Sequence, residues 1–235
     1  MSAEAFALSF FDPDRELYGI ARSGATILFE GRKPASHAGG PQVEPHGAGW
    51  RAELPGRMSL VVDPISGELE LGGVTVRVCR VGGDVGGHVV DCLGTFSVTT
   101  VEPRWDELDA LRSISALVDE RHALVALARR PRGAAGHGQE LVRAGLLVDG
   151  ELRDVEQARI STVYDGGGRQ RSAGLELWLP GEEYPRRGSG LVIAGSSLDL
   201  DPVQVHAAVF RWRLDGREGI GAYELMVRLE PPAAA

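Results

Sequence analysis

Alternation of apolar and polar residues, cut at short intervals by turn residues, most limits the folds open to this chain. It is clearest from His137 to Pro180, HGQELVRAGLLVDGELRDVEQARISTVYDGGGRQRSAGLELWLP. Three apolar runs there are separated by Asp149-Gly150 and by Asp165-Gly166-Gly167. Asp-Gly steps supply the positive φ that tight hairpins need, so the segment reads as an antiparallel meander. On its first strand Glu140 falls in phase with Val142, Ala144, Leu146 and Val148. A carboxylate on an apolar strand face is costly unless it is paired, solvated or protonated, which makes Glu140 a candidate functional group.

The same grammar runs through most of the chain. Phe6, Leu8 and Phe10 share one face before Asp12-Pro13-Asp14 breaks the run, and Pro55-Gly56, Asp63-Pro64 and Gly72-Gly73 punctuate later strands. Turn signals at this spacing predict an all-β sandwich or barrel. Residues 31–49, GRKPASHAGGPQVEPHGAG, lack periodicity and read as a long loop. One helix is predicted, over Trp105–Val118, where Trp105, Leu108, Leu111, Ser115 and Val118 recur at helical spacing behind Pro103. Its central position predicts a linker (103–119) between an N-terminal β domain (1–102) and a C-terminal β domain (120–235).

Charge and composition narrow the function classes. A formal net charge of −8 and a pI near 5.3 argue against nucleic acid or an anionic membrane as partner, because both need a basic footprint. No apolar run is long enough to span a bilayer, and no signal-peptide pattern opens the chain, so a cytoplasmic location is expected. Cys79 and Cys92 flank a GGDVGG hairpin loop; in a reducing compartment two buried free thiols are expected there. A single lysine, Lys33, and the lack of asparagine fit a GC-rich bacterial genome and explain why the turns use Asp-Gly and Gly-Gly.

No cofactor motif is present. GGDVGG lacks the lysine and hydroxyl residue of a phosphate loop, Ser172 and Ser189 lack the glycine spacing of a nucleophile elbow, and the six histidines show no metal-ligand spacing. No cofactor and no metal are therefore expected. What remains are polar residues on apolar strand faces. Glu140 is one, and His206, in phase with Ala208, Phe210, Trp212 and Leu214, is the second; Glu176 and Glu224 are weaker cases. An acid beside a histidine in a cavity suits acid chemistry on an alkene or carbonyl. The aromatic residues Tyr164, Trp178, Phe210, Trp212 and Tyr223 are the candidate walls for a hydrophobic ligand.

Several short segments then carry a resemblance. They are Phe10-Phe11-Asp12-Pro13 with Leu17-Tyr18-Gly19 and Arg22; Gln139-Glu140, Val148-Asp149-Gly150 and Tyr164-Asp165; and Leu214-Asp215-Gly216-Arg217-Glu218-Gly219 with Gly221 and Glu224. In these the chain resembles the tandem lipocalin-like superfamily that includes bacterial carotenoid 1,2-hydratases and fungal decalin-forming Diels–Alderases. The resemblance implies two lipocalin-like antiparallel β-barrels or barrel-like sheets, with a hydrophobic ligand in one barrel or at their junction. It also implies cofactor-independent hydration, isomerisation or cyclisation of terpenoid- or polyketide-like substrates, or a non-catalytic carrier or sensor of such molecules. Gln157-Ala158-Arg159-Ile160 stands where many relatives carry His-Ser-Trp-Gly, so no catalytic residue is transferred. Glu140 as acid, His206 as its partner and the aromatic walls are this sequence's own candidates.

Overall fold

Turn chemistry sets the strand ends. In a computed structural model describing residues 5–229, Asp149, Asp215 and Glu16 take positive φ, and Gly150 and Gly216 follow the two aspartates in the same region. Between such turns the chain is strand almost throughout. The first sheet contains β1 (Phe6–Asp12), β2 (Leu17–Arg22), β3 (Ala25–Glu30), β4 (Lys33–Ala38), β5 (Gln42–His46), β6 (Gly49–Leu54), β7 (Met58–Pro64), β8 (Leu69–Glu70), β9 (Val74–Val85) and β10 (His88–Thr99). Its order is β4-β3-β2-β1-β10-β9-β7-β6-β5, with β8 paired to β9.

The second sheet contains β11 (Leu108–Asp119), β12 (His122–Pro131), β13 (Leu141–Val148), β14 (Glu151–Asp154), β15 (Gln157–Tyr164), β16 (Gln170–Trp178), β17 (Arg186–Leu200), β18 (Val203–Leu214) and β19 (Arg217–Arg228). Its order, β14-β13-β12-β11-β19-β18-β17-β16-β15, repeats the scheme in which a late strand closes against the first. Each sheet curls into an antiparallel half-barrel, so the all-β, two-barrel expectation holds. The segment from His137 to Pro180, expected as one meander, is instead two hairpins, β13–β14 and β15–β16, whose outer strands β14 and β15 are the opposite edges of the second sheet.

Two expectations are corrected. The segment read as a helix is β11, paired with β12 and β19 along its length. Both faces of β11 are buried: Ile114 and Ala116 point into the second half-barrel, while Leu111 and Leu117 meet residues of the first sheet. A strand covered on both sides loses its period-2 signal, and a chance helical spacing then dominates. Among the described residues the only helical turn is a 3-10 turn at His137–Gln139. The link between sheets is accordingly residues 100–107, and 108–119 belong to the second sheet.

The segment read as a long loop supplies β4 and β5. These are the two edge strands of the first sheet, largely exposed, and each carries a proline, Pro34 and Pro45. Exposed edges need no apolar face, and proline is tolerated there because no ladder donor is required on the open side. Cys79 and Cys92 are free; Cys79 pairs with Gly94 and Cys92 with Val81, so the ladder does not place them opposite each other.

The core has three layers. Leu8, Phe10, Leu60, Val62, Val81 and Phe96 fill the first half-barrel; Leu124, Leu146, Leu175, Phe210, Trp212 and Tyr223 fill the second. Between them, Phe11, Tyr18, Phe29 and Val78 pack on Leu117, Val205, Val209 and Ala222. A smaller cluster joins Leu69, Leu71 and Val76 to Leu111, Val125 and Leu127. The central strands of the second sheet thus serve two cores with opposite faces. Along β18, Ala208, Phe210 and Trp212 point into the half-barrel, while Val205, Ala207 and Val209 face the first sheet.

Candidate functional site

The double-faced strands leave a cavity of about 430 Å³ between the sheets. One wall is Ser9, Val76 and Thr95 of the first sheet; the opposite wall is Leu111, Ser113 and Val125; Trp105 of the connection borders it too. From β19, Ala222, Glu224 and Met226 complete the lining, in the phase the sequence assigns them. The surface is mainly apolar, with Glu102 and Asp201 at exposed positions on its border and one buried ion pair in its wall. The Glu224 carboxylate, 6% exposed as a residue, is ion-paired with Arg22 of β2 and accepts a bond from Ser113 Oγ at 3.4 Å. Arg22 Nη1 lies 3.3 Å from Met226 Sδ, and the Arg22 Nε has no acceptor among the described residues. Two residues on which the sequence resemblance rests, at opposite ends of the chain, therefore meet at the wall of this cavity. Ser9 and Thr95 satisfy each other at 2.7 Å.

A second polar centre lies in the other half-barrel. Arg112 of β11 is buried on the inward face and ion-paired with Glu140, both side chains being 1% exposed. Its Nη1 also donates to Thr162 Oγ1 at 3.1 Å and to Tyr223 Oη at 3.0 Å. Glu140 sits at the end of the 3-10 turn, one residue before β13, and its Oε1 lies 2.7 Å from His137 Nδ1. A paired carboxylate can only accept, so Nδ1 carries the proton and Nε2 is left as acceptor. Tyr164 Oη, 3.3 Å from Nε2, then donates to it. Burial, then the charges of Arg112 and Arg130, hold His137 below its ordinary value, which favours neutral imidazole. Burial likewise pushes the Tyr223 phenol up to about 12, more than Arg112 and Thr162 pull it down. His137 and Glu140 border an open groove of about 1300 Å³ along the gap between β13 and β15.

Of the sequence candidates, Glu140, Tyr164 and Tyr223 come together in this network. Phe210 and Trp212 stack beneath Tyr223, with centroids 5.4 Å apart for Phe210–Tyr223 and 5.2 Å for Phe210–Trp212. They form core, and none of these five lines the cavity between the sheets. Trp178 stands apart, under the Arg159 guanidinium at 5.1 Å. His206 is separate as well: its Nδ1 is 2.7 Å from Ser197 Oγ, its carbonyl accepts from Gln170 Nε2 at 3.1 Å, and it borders none of the cavities described. Burial, then Arg169, lowers its pKa.

Sequence reasoning missed Arg112, His137 and the Arg22–Glu224 pairing. Arg112 lay in the segment read as a helix, although a lone arginine within Ala110-Leu111-Arg112-Ser113-Ile114 signals a buried charge in need of an acid. His137 was one of the scattered histidines, yet it lies three residues before Glu140, close enough for a turn to join them.

The fold defined by these two half-barrels recurs in solved structures. A protein assigned as AttH from Nitrosomonas europaea superposes with TM-score 0.62 at 12% identity, covering 95% of this chain and 92% of its own. Kievitone hydratase from Nectria haematococca gives 0.60 at 8% identity, with 96% and 89% covered. CghA in complex with Sch210972 gives 0.61 at 12% identity, with 97% and 89% covered. The chain thus has the tandem lipocalin-like fold of these proteins across nearly its whole length. No protein-family model and no curated protein sequence matches it. Among the described residues no helix is long and apolar enough to cross a membrane.

Proposed function

We propose that the protein binds a hydrophobic, terpenoid- or polyketide-like molecule in the cavity between its sheets and cyclises, isomerises or hydrates it without a cofactor. The observation that carries this reading is a partly open, mainly apolar space of about 430 Å³ with a buried Arg22–Glu224 pair in its wall. Small-molecule sites have this make-up: apolar lining for affinity and few polar groups for orientation. The Arg22 guanidinium, whose Nε–H lacks an acceptor among the described residues, is the donor group for a carbonyl or developing oxyanion of the ligand. Glu224 fixes the guanidinium and sets a negative edge near carbon that becomes cationic. The apolar walls supply the rest by holding a folded, reactive conformer. Kievitone hydratase and CghA with its bound Sch210972 lend support, as proteins of this fold named for a small-molecule reaction or holding a small molecule.

This reading shifts the chemistry from Glu140 and His206, the sequence candidates, to Arg22 and Glu224. The test uses Trp105, which borders the cavity. Polyene and polyketide-like lipophiles should quench its fluorescence, and Trp105→Phe should remove that quenching. For the lipophile that is turned over, Glu224→Gln should slow turnover about 100-fold while leaving affinity within about threefold. Full turnover in Glu224→Gln removes the pair from the mechanism.

The second reading, a carrier or sensor of the same ligand class, is favoured by the satisfied state of most polar groups in the wall, Ser9 with Thr95 and Glu224 with Arg22 and Ser113. Mass spectrometry of protein purified from its own host separates the two, because a carrier retains an unaltered lipophile.

A further inference from the structure

The groove between β13 and β15 has an electrostatic character that the cavity between the sheets lacks. Four arginines border it, Arg129, Arg143, Arg159 and Arg187, against three glutamates, Glu140, Glu156 and Glu176. Glu140 is already neutralised by Arg112, and Glu176 lies 3.7 Å from Arg187. In a chain of net charge −8, this is a locally positive surface.

Arg129 is the unusual residue. Among the described residues its Nε and one Nη are buried without a hydrogen-bond partner, and no carboxylate pairs with it. Donors left in that state cost free energy, more so on a charged group. In the β12–β13 ladder Arg129 faces Leu141 and Leu127 faces Arg143. The two guanidinium-bearing residues are therefore diagonal neighbours on one face, a like-charge arrangement that calls for an anion. Glu70, in the turn nearby, is engaged by the Gly73 N–H and the Thr75 hydroxyl. Around the arginines the surface is apolar. Leu71 and Leu127 line the groove beside Arg129, and Leu141, opposite it in the ladder, is 68% exposed. A Cβ added to Gly73 would come within 2.8 Å of Val101 and 3.3 Å of Arg129 Nη2, so all three residues crowd together, and Val101 is 59% exposed.

We propose that this groove is a second ligand site, distinct from the cavity between the sheets, that binds a carboxylate-bearing lipophile. Arg129 and Arg143 hold the carboxylate, through the charge-assisted bonds for which guanidinium is suited. The apolar chain starts along Leu141 on the arginine face and passes through the gap between β13 and β15 toward Val142 and Ile160, which face the half-barrel interior.

The test is a titration with cis-parinaric acid, a fatty acid whose tetraene fluoresces on leaving water, and with its methyl ester. The acid should bind at least about tenfold more tightly than the ester, and 0.5 M salt should narrow the difference. Arg129→Met and Arg143→Met should each weaken the acid about tenfold and leave the ester unchanged. Arg143 is exposed, so its variant reports even if Arg129→Met is poorly folded. Equal affinity for acid and ester, or wild-type acid binding in Arg143→Met with a native melting profile, overturns the proposal. Acid binding that saturates together with Trp105 quenching places the acid between the sheets; it overturns the groove site and leaves the proposed function standing. Arginine-dependent acid binding without Trp105 quenching supports the groove site whatever the fate of that function.

Discussion

Arg112 and Glu140 show how much one buried charge constrains. Removing one partner of such a pair strands the other, which typically costs about 3–5 kcal/mol. Glu140→Gln should therefore lower the urea midpoint markedly. It should leave turnover per folded molecule intact, because Glu140 does not border the cavity between the sheets. His137 and His206 add a pH dependence. Both titrate below the ordinary histidine value near 6.5 when folded, so just below that pH the unfolded chain binds more protons. Stability from these two should be complete above about pH 6.5 and decline as the pH falls through their folded midpoints. Denaturation midpoints across pH 5–8, compared with a His137→Gln/His206→Gln double variant, check the sign: the variant should lose that slope. At this scale the sequence was half legible. Glu140 stood out because an acid on an apolar face is anomalous. Its guanidinium partner did not, being 28 residues away on a strand whose two buried faces hid the alternation.

At the scale of elements, the motif Leu214-Asp215-Gly216-Arg217-Glu218-Gly219-Ile220-Gly221 has a structural cause throughout. Asp215 and Gly216 take positive φ to turn the β18–β19 hairpin. A Cβ on Gly221 would come within 2.0 Å of the Ser115 carbonyl oxygen across the β11–β19 ladder. Neither side is flexible, since the obstruction is backbone. Gly221→Ala should thus cost about 3 kcal/mol by loosening that pairing, read as a lower melting temperature with faster amide exchange in β11. The β9–β10 hairpin makes a chemical prediction. Burial pushes both Cys79 and Cys92 thiols up to about 12, so little thiolate exists at neutral pH. A thiol reagent such as dithionitrobenzoate should label neither promptly in native buffer and both at once in urea. Hairpins were the readable elements, because their turns require particular residues. The edge strands β4 and β5 were not, because an exposed edge places few demands on side chains.

For the whole molecule, the layer between the sheets decides behaviour. Phe11, Tyr18, Phe29 and Val78 share one buried cluster with residues of the second sheet, chiefly from β11, β18 and β19. Neither sheet can be removed without exposing that surface, so the two should unfold as one unit. Far-ultraviolet circular dichroism and tryptophan fluorescence should give coincident denaturation curves. Tandem organisation was expected from the family resemblance and from a central segment read as a linking helix, which is in fact strand β11. The docking of one sheet on the other was not, because it depends on strand faces that alternation assigns only when one side is wet. The prolines on β4 and β5 also act at this scale. Natural sheets with open margins risk recruiting a strand from another copy, the first step toward fibrils. A residue without an N–H on each outer margin of the first sheet frustrates that recruitment there, so Pro34→Ala and Pro45→Ala should make the protein more prone to associate in concentrated solution, read by light scattering.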